Sequence, residues 1–200
     1  MALVAALLAG FLLLTYGMTT VFMADTETAI GSADRAGREA LYAADAGAQA
    51  VIAEIVRSGS WEPPLDGRTS TILFDGALVA SVPASDAVNL TARTSNLQAV
   101  TDAAPSGGDR SEWHLYAWGP ASMLLSFPTT IGPFYLAVWL ADDSGDGDGN
   151  PSFDTNGIVI VHAESYGPGG LMRVVECVVS RAPATGSRPV LLSWRELRPI

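Results

Sequence analysis

The first 24 residues, MALVAALLAGFLLLTYGMTTVFMA, carry no charged side chain. A helix needs about 20 apolar residues to cross a bilayer core, so this run is long enough to span a membrane. No proline or loop-like cluster follows it. Instead DTETAIGSADRAGREALYAADAGAQAVIAEIVR continues with helical spacing to Arg57. One helix of that extent would run ~85 Å at ~1.5 Å per residue, and its two halves must meet different surroundings. The expected organisation is a helical stalk over residues 1–57, with 1–24 the membrane span and 25–57 amphipathic, followed by a globular head over 58–200.

A cleavable secretory signal is the rival reading of the N-terminus, but it needs a basic leading region and a small-x-small cleavage site. Phe22 stands at −3 to Ala24, which disfavours cleavage there, and no basic residue precedes the apolar run. The missing basic flank implies a short basic leader removed before Met1. Gly10 and Gly17, with Ala5, Ala6 and Ala9, supply small residues that let helices approach closely in lipid. Met1, Leu3, Val4, Leu7, Leu8, Phe11, Leu14 and Phe22 are bulky apolar residues of this run.

Beyond residue 24, Ala29, Ala33, Ala36, Ala40, Ala44, Ala48, Val51 and Ile55 recur at three-and-four spacing, a single stripe on a helix. Charges fill the other faces, and Asp34–Arg38 is a favourable i,i+4 pair. The stripe is small at first and bulky at Val51, Ile52 and Ile55. Close helix–helix contact accounts for the alanines, and a sheet resting on the last turns accounts for the bulky end. Ser58-Gly59-Ser60 and then Pro63-Pro64 stop the helix.

In the head, residues 69–83 read as two short strands around the turn dipeptide Asp75-Gly76. Residues 87–100 are open between strand and helix. Residues 104–109 are a loop by composition, and 124–128 an apolar stretch that packs under a loop or meets a neighbour. Strands are expected at 112–118, 134–140, 157–164, 171–179 and 190–195, the third and fourth forming an antiparallel hairpin across Tyr166–Gly170. The fold class is therefore α+β: a long N-terminal helix whose end is covered by a C-terminal antiparallel sheet. Trp113, Tyr116, Trp118, Phe127, Phe134, Tyr135 and Trp139 form the densest aromatic region and are read as core filling rather than an exposed binding cluster.

Between two of those strands lies ADDSGDGDGNPSFDTNG. Hard oxygen ligands at alternate positions with glycines between them are what a calcium loop uses. Asp143, Asp146, Asp148, Asn150 and Asp154 are the candidate Ca2+ ligands, with Asp146-x-Asp148-x-Asn150 matching the opening of an EF-hand-like loop. Pro151 stands where that loop has Gly, and Gly157 where it ends in Glu. A solvated acidic loop is the alternative.

The charge balance narrows the partners. The chain has no Lys, 11 Arg and a net charge of −10, so it lacks the basic cluster that phosphate-backbone binding needs, and no nucleic acid is expected. The lone Cys177, in VVECVV, forbids an intrachain disulfide and reads as a buried thiol. His114 and His162 sit in strand-like runs, and no G-x-S-x-G, H-E-x-x-H, P-loop or G-x-G-x-x-G occurs. The chain is read as a non-enzyme.

The uncharged N-terminus, the single long helix and the following head resemble a type IV pilin. More narrowly, Met1-Ala2-Leu3-Val4, the apolar run through Leu14 and the segment Ala40–Ala48 (ALYAADAGA) are similar to the PilX-type minor pilins. The resemblance covers about the first 57 residues. It implies a subunit of a type IV pilus or pilus-like secretion filament, with a methylated N-terminus, residues 1–24 as filament core, and Met1, Leu3, Val4, Leu7, Leu8, Phe11, Leu14 and Phe22 as the assembly interface. Such a subunit waits in the bacterial inner membrane before joining an extracellular filament. Its implied partners are copies of itself or other pilin subunits, the pilus assembly machinery and a prepilin peptidase. Typical pilins carry Glu at the fifth position, and this chain has Ala5. That departure keeps two alternatives open: a tip or initiating minor pilin or adhesin, and a single-span envelope protein that does not polymerise.

Overall fold

In the computed structural model the elements run, in chain order, α1 (Ala2–Ser58), α2 (Glu62–Leu65), β1 (Val79–Ala80), β2 (Val88–Asn89), α3 (Leu90–Ala103), β3 (His114–Pro120), β4 (Tyr135–Asp142), β5 (Ile158–Tyr166), β6 (Met172–Ser180) and β7 (Val190–Leu197). The structure describes the chain apart from residues 60, 83–84, 105–109, 125–132, 182–188 and 200, and the side chain of residue 63. Most of the 104–109 loop, Phe127 with the apolar stretch around it, and the start of the link before β7 therefore lie outside the described residues.

Helix α1 is 57 residues long and unbroken. It contains no proline, and its apolar first half is built from Ala and Leu, the residues that lose least on entering a helix. The hydroxyls of Thr15, Thr19 and Thr20 donate to the carbonyls of Leu12, Thr15 and Gly17 at 2.9, 2.8 and 2.8 Å. These back-bonds satisfy the polar groups in an otherwise apolar surface. The helix ends where Gly59 takes φ +73°, the left-handed conformation that closes a helix at little cost only for glycine.

The chain divides into two compact units, Met1–Arg38 and Glu39–Ile200. The boundary falls inside α1 rather than after residue 57, because the last five turns of the helix are part of the second unit's core. That unit, the head, is built on a five-stranded antiparallel meander in the order β3-β4-β5-β6-β7. β5 and β6 pair in an unbroken register from Ile158↔Ser180 to Tyr166↔Met172, the expected hairpin.

Both faces of the sheet are covered along its central strands, while β7 is mostly exposed, and the side-chain alternation of the strands shows why. Leu136, Val138 and Leu140 of β4, Val159, Val161 and Ala163 of β5, and Val175, Cys177 and Val179 of β6 share one core with Ala40, Ala43, Ala44, Ala48, Val51, Ile52 and Ile55 of α1. The intervening residues Tyr135, Ala137, Trp139 and Ala141 face a second core with Trp113, Trp118 and the α3 residues Leu90 and Leu97. The alanines of α1 from Ala40 to Ala48 thus serve the sheet, not a neighbouring helix. At Gly47 an added Cβ would already stand 3.5 Å from Leu136 Cδ1 and Val138 Cγ2. Small residues set how closely helix and sheet approach, and the bulky Val51 and Ile55 fill the space further along. Cys177 is buried, as its apolar setting predicts.

Two expectations change. The Asp75-Gly76 hairpin does not form. Residues before it turn towards β3 instead: Trp118 N donates to Leu73 O at 2.9 Å and Asp75 N to Trp118 O at 3.1 Å, while β1 pairs with β2. The open stretch 87–100 resolves into a two-residue strand and then α3, with Asn89 as the N-cap accepting Ala92 N at 3.0 Å. The six described aromatics of the cluster, Trp113, Tyr116, Trp118, Phe134, Tyr135 and Trp139, are all buried.

Candidate functional site

Three features of this chain carry chemistry beyond ordinary packing. The first is the apolar surface of α1. Leu3, Val4, Leu7, Leu8, Phe11, Leu14 and Phe22 are between 57% (Val4) and 74% (Leu3) exposed, and Met1 is fully exposed. Their helix is long and apolar enough to cross a membrane.

The second is the connection between β4 and β5. Asp142, Asp146 and Asp154 each bring one carboxylate oxygen to within 4.8 Å of the others. Asp142 stands at the end of β4, opposite Val159 at the start of β5, and is buried. Asp146 accepts Thr155 N at 2.7 Å and also the Thr155 hydroxyl. Asp154 Oδ1 accepts Gly157 N at 2.6 Å and Ile158 N at 3.1 Å. Of the five residues expected to converge, the structure brings together Asp146 and Asp154 and adds Asp142. Asp143 instead accepts Gly145 N at 2.9 Å and Asn156 Nδ2 at 2.7 Å, Asp148 accepts Asn150 N at 2.8 Å, and Asn150 accepts Ser152 N at 3.2 Å. These are short turns in which the side chain bonds the backbone two residues on. Gly147 and Gly149, at φ +75° and +76°, let the chain reverse between them. Burial, reinforced by Asp146 and Asp154, pushes the Asp142 carboxyl up to about 7. Burial likewise raises Asp154 above its ordinary value.

The third feature is an ionic cluster beneath α3, and sequence reasoning did not find it. His162 and Glu164 are almost fully buried on the β5 face opposite α1, and Glu176 lies beside them on β6. Glu164 accepts both Arg93 Nε at 3.1 Å and an Arg93 terminal nitrogen at 2.5 Å, as well as the Tyr166 hydroxyl, and it lies 3.1 Å from His162 Nε2. His162 Nδ1 is 3.6 Å from Glu176, which also pairs with Arg195. Trp113 and Trp139 meet the imidazole edge-on, with ring centroids 5.6 and 5.9 Å away. Charged residues at alternate positions inside a strand were the available signal, because 162 and 164 must share a face. The partner Arg93, 71 residues before Glu164, gave none.

Burial alone would push His162 down, but Glu164 and Glu176 override it and raise the imidazole above its ordinary 6.5. Burial would likewise push Glu164 and Glu176 up, yet His162 with Arg93, and His162 with Arg195, hold them below the ordinary 4.5. A histidine held in its charged form is a poor general base. Lying between two carboxylates, the imidazole is biased towards its charged form.

The pH dependence follows from these directions. His162 contributes stability fully below pH 6.5 and loses it as pH rises through its raised folded value. The two glutamates contribute fully above pH 4.5 and lose it as pH falls through their lowered values. This cluster therefore stabilises the head most between about pH 4.5 and 6.5. Asp142, with its raised carboxyl, adds a loss in the same alkaline direction. Thermal melts from pH 4 to 9 are expected to peak in that window, with His162→Gln showing a shallower alkaline fall than the parent.

Comparison of the chain with protein-family models, with curated proteins and with solved structures gives no match.

Proposed function

We propose that this chain is a pilin-like structural subunit of a type IV pilus or related secretion filament. The observation that carries the reading is the exposed, uncharged surface of α1 from Met1 to Phe22. Exposed apolar surface on this scale marks a membrane or protein contact. A bilayer covers it while the subunit is held in the inner membrane, and the helices of neighbouring subunits cover it in the filament. Further support comes from the α+β order, a long N-terminal helix followed by an antiparallel sheet that packs on the helix from Ala40 to Ile55. The likeness of residues 1–14 and 40–48 to PilX-type minor pilins points the same way.

Ala5 favours a second reading within the same class, a tip or initiating subunit. A carboxylate within a span is costly unless paired, and a subunit with no neighbour above it has no use for one. Shearing of surface filaments from producing cells tests the proposal. The chain is expected in the sheared fraction and, by gold labelling, along the filament or at one end. Recovery only with membranes, with no filament-associated label, would contradict both readings.

A further inference from the structure

We propose that Asp142, Asp146 and Asp154 bind one calcium ion at the junction of β4 and β5. This goes beyond the filament reading and stands whether or not the chain polymerises.

The three carboxylates do more than lie near one another. Asp142 and Asp154 are 3% and 6% exposed, so two negative groups have been taken out of water at one point. Asp154 Oδ1 is committed to the amides of Gly157 and Ile158, whereas Asp154 Oδ2 is buried with no hydrogen-bond partner among the described residues. Buried polar atoms are almost always paired, and an orphaned carboxylate oxygen beside two further carboxylates is among the costliest exceptions. Arg181 lends Asp154 a favourable charge, but among the described residues Oδ2 still has no donor. A cation among the three oxygens satisfies Oδ2 and neutralises the repulsion together.

The donor set selects the ion. All three are hard carboxylate oxygens, and the group contains no His or Cys, which favours a hard cation over zinc. Two oxygens bound to one Ca2+ at about 2.3–2.6 Å can be no more than about 5 Å apart, which accommodates the 4.8 Å limit of this group. Calcium completes an irregular shell of six to eight oxygens with backbone carbonyls and water, whereas Mg2+ demands a near-ideal octahedron. Asp146 and Asp154 are already braced, by Thr155 and by the Gly157 and Ile158 amides, so binding orders little that is not ordered beforehand. The ion would clamp the end of β4 to the start of β5.

Calorimetric titration of CaCl2 into the full-length chain in detergent, after chelator treatment, tests the site. One ion per chain is expected, with Kd on the order of 0.1–1 mM as in extracellular calcium modules, and a rise in Tm on calcium addition. Asp154→Asn and Asp142→Asn are expected to weaken binding by more than about tenfold, because charge count sets affinity in such sites. Asp148→Asn, in the same loop but turned to its own backbone, should leave affinity nearly unchanged. In chelator, Asp142→Asn and Asp154→Asn should melt no lower than the parent, which shows that they fold and that the carboxylates repel without the ion. Three results would each overturn the proposal: no calcium-dependent heat or Tm shift, Asp148→Asn as damaging as Asp154→Asn, or saturation by Mg2+ with none by Ca2+.

Discussion

Trp139→Ala is expected to cost the head about 3–5 kcal/mol, the range for truncating a large aromatic in a packed core. Trp139 is fully buried in the middle of β4, on the face covered by α3. Its indole Nε1 donates to Thr94 Oγ1 at 2.8 Å, and its ring stands edge-on to His162 at 5.9 Å between centroids. The truncation therefore leaves a cavity, takes from the Thr94 hydroxyl the donor it accepts and removes one wall of the ionic cluster. Against a typical stability of about 5–15 kcal/mol this is a large share, and for a unit of this size it lowers Tm by roughly 10 °C. Trp194→Ala is the matched control. That residue is 43% exposed on β7, and its indole bonds Asp45 Oδ1 at 2.7 Å. Denaturant melts should place Trp139→Ala well below both the parent and Trp194→Ala; equal midpoints for the two variants would refute the two-core description of the sheet.

Glu164→Ala is expected to be as damaging, for an electrostatic reason. Removing one member of a buried ion pair costs about 3–5 kcal/mol, because the partner's charge stays behind uncompensated. Here the group left behind is Arg93, whose side chain is only 15% exposed, together with His162 at 2%. The same logic makes the effect strongly non-additive. Once Glu164 is gone, removing Arg93 as well takes away a half-buried charge that has lost its carboxylate partner, so Arg93→Met in the Glu164→Ala background should restore part of the loss. A double-mutant cycle is expected to give a coupling above about 1 kcal/mol, within the range for residues in one network. Additive effects would mean that the cluster is solvated rather than buried.

What the sequence disclosed and what it withheld divide along the range of the interactions. The run from Met1 to Ala24 is legible because length and absence of charge suffice for a span. β4, β5 and β6 are legible because each is a local apolar run of strand length, and the turn at Tyr166–Gly170 fixes their pairing. The role of Ala40, Ala44 and Ala48 was not, since a stripe of alanine fits a helix or a sheet neighbour equally well. Only the position of Leu136 and Val138 beside Gly47 decides. In the acidic loop the composition pointed to the right stretch, but alternate spacing picked out Asp148 and Asn150, which the turns at Gly147 and Gly149 redirect to the backbone. Asp142, in the same acidic stretch, is not among the expected ligands; its place at the end of β4, opposite Val159, shows only in the fold. Of the Arg93–Glu164–His162–Glu176 cluster, only the alternation of His162 and Glu164 within one strand is local; Arg93 lies 71 residues before Glu164, and no local pattern links them.

The central claim is that copies of this chain meet through α1 in a filament, and cysteine cross-linking within that helix tests it most directly. The native thiol does not interfere. Cys177 is fully buried, and burial, with Asp45 and Glu176, pushes it up to about 11. A Leu7→Cys/Leu14→Cys chain places two reactive thiols on the exposed apolar surface of α1. Oxidation of sheared filaments from cells producing it is expected to give a ladder of cross-linked multimers, absent from the parent chain. Monomer alone in the oxidised filament fraction, or filaments from which the chain is missing, would contradict assembly through α1.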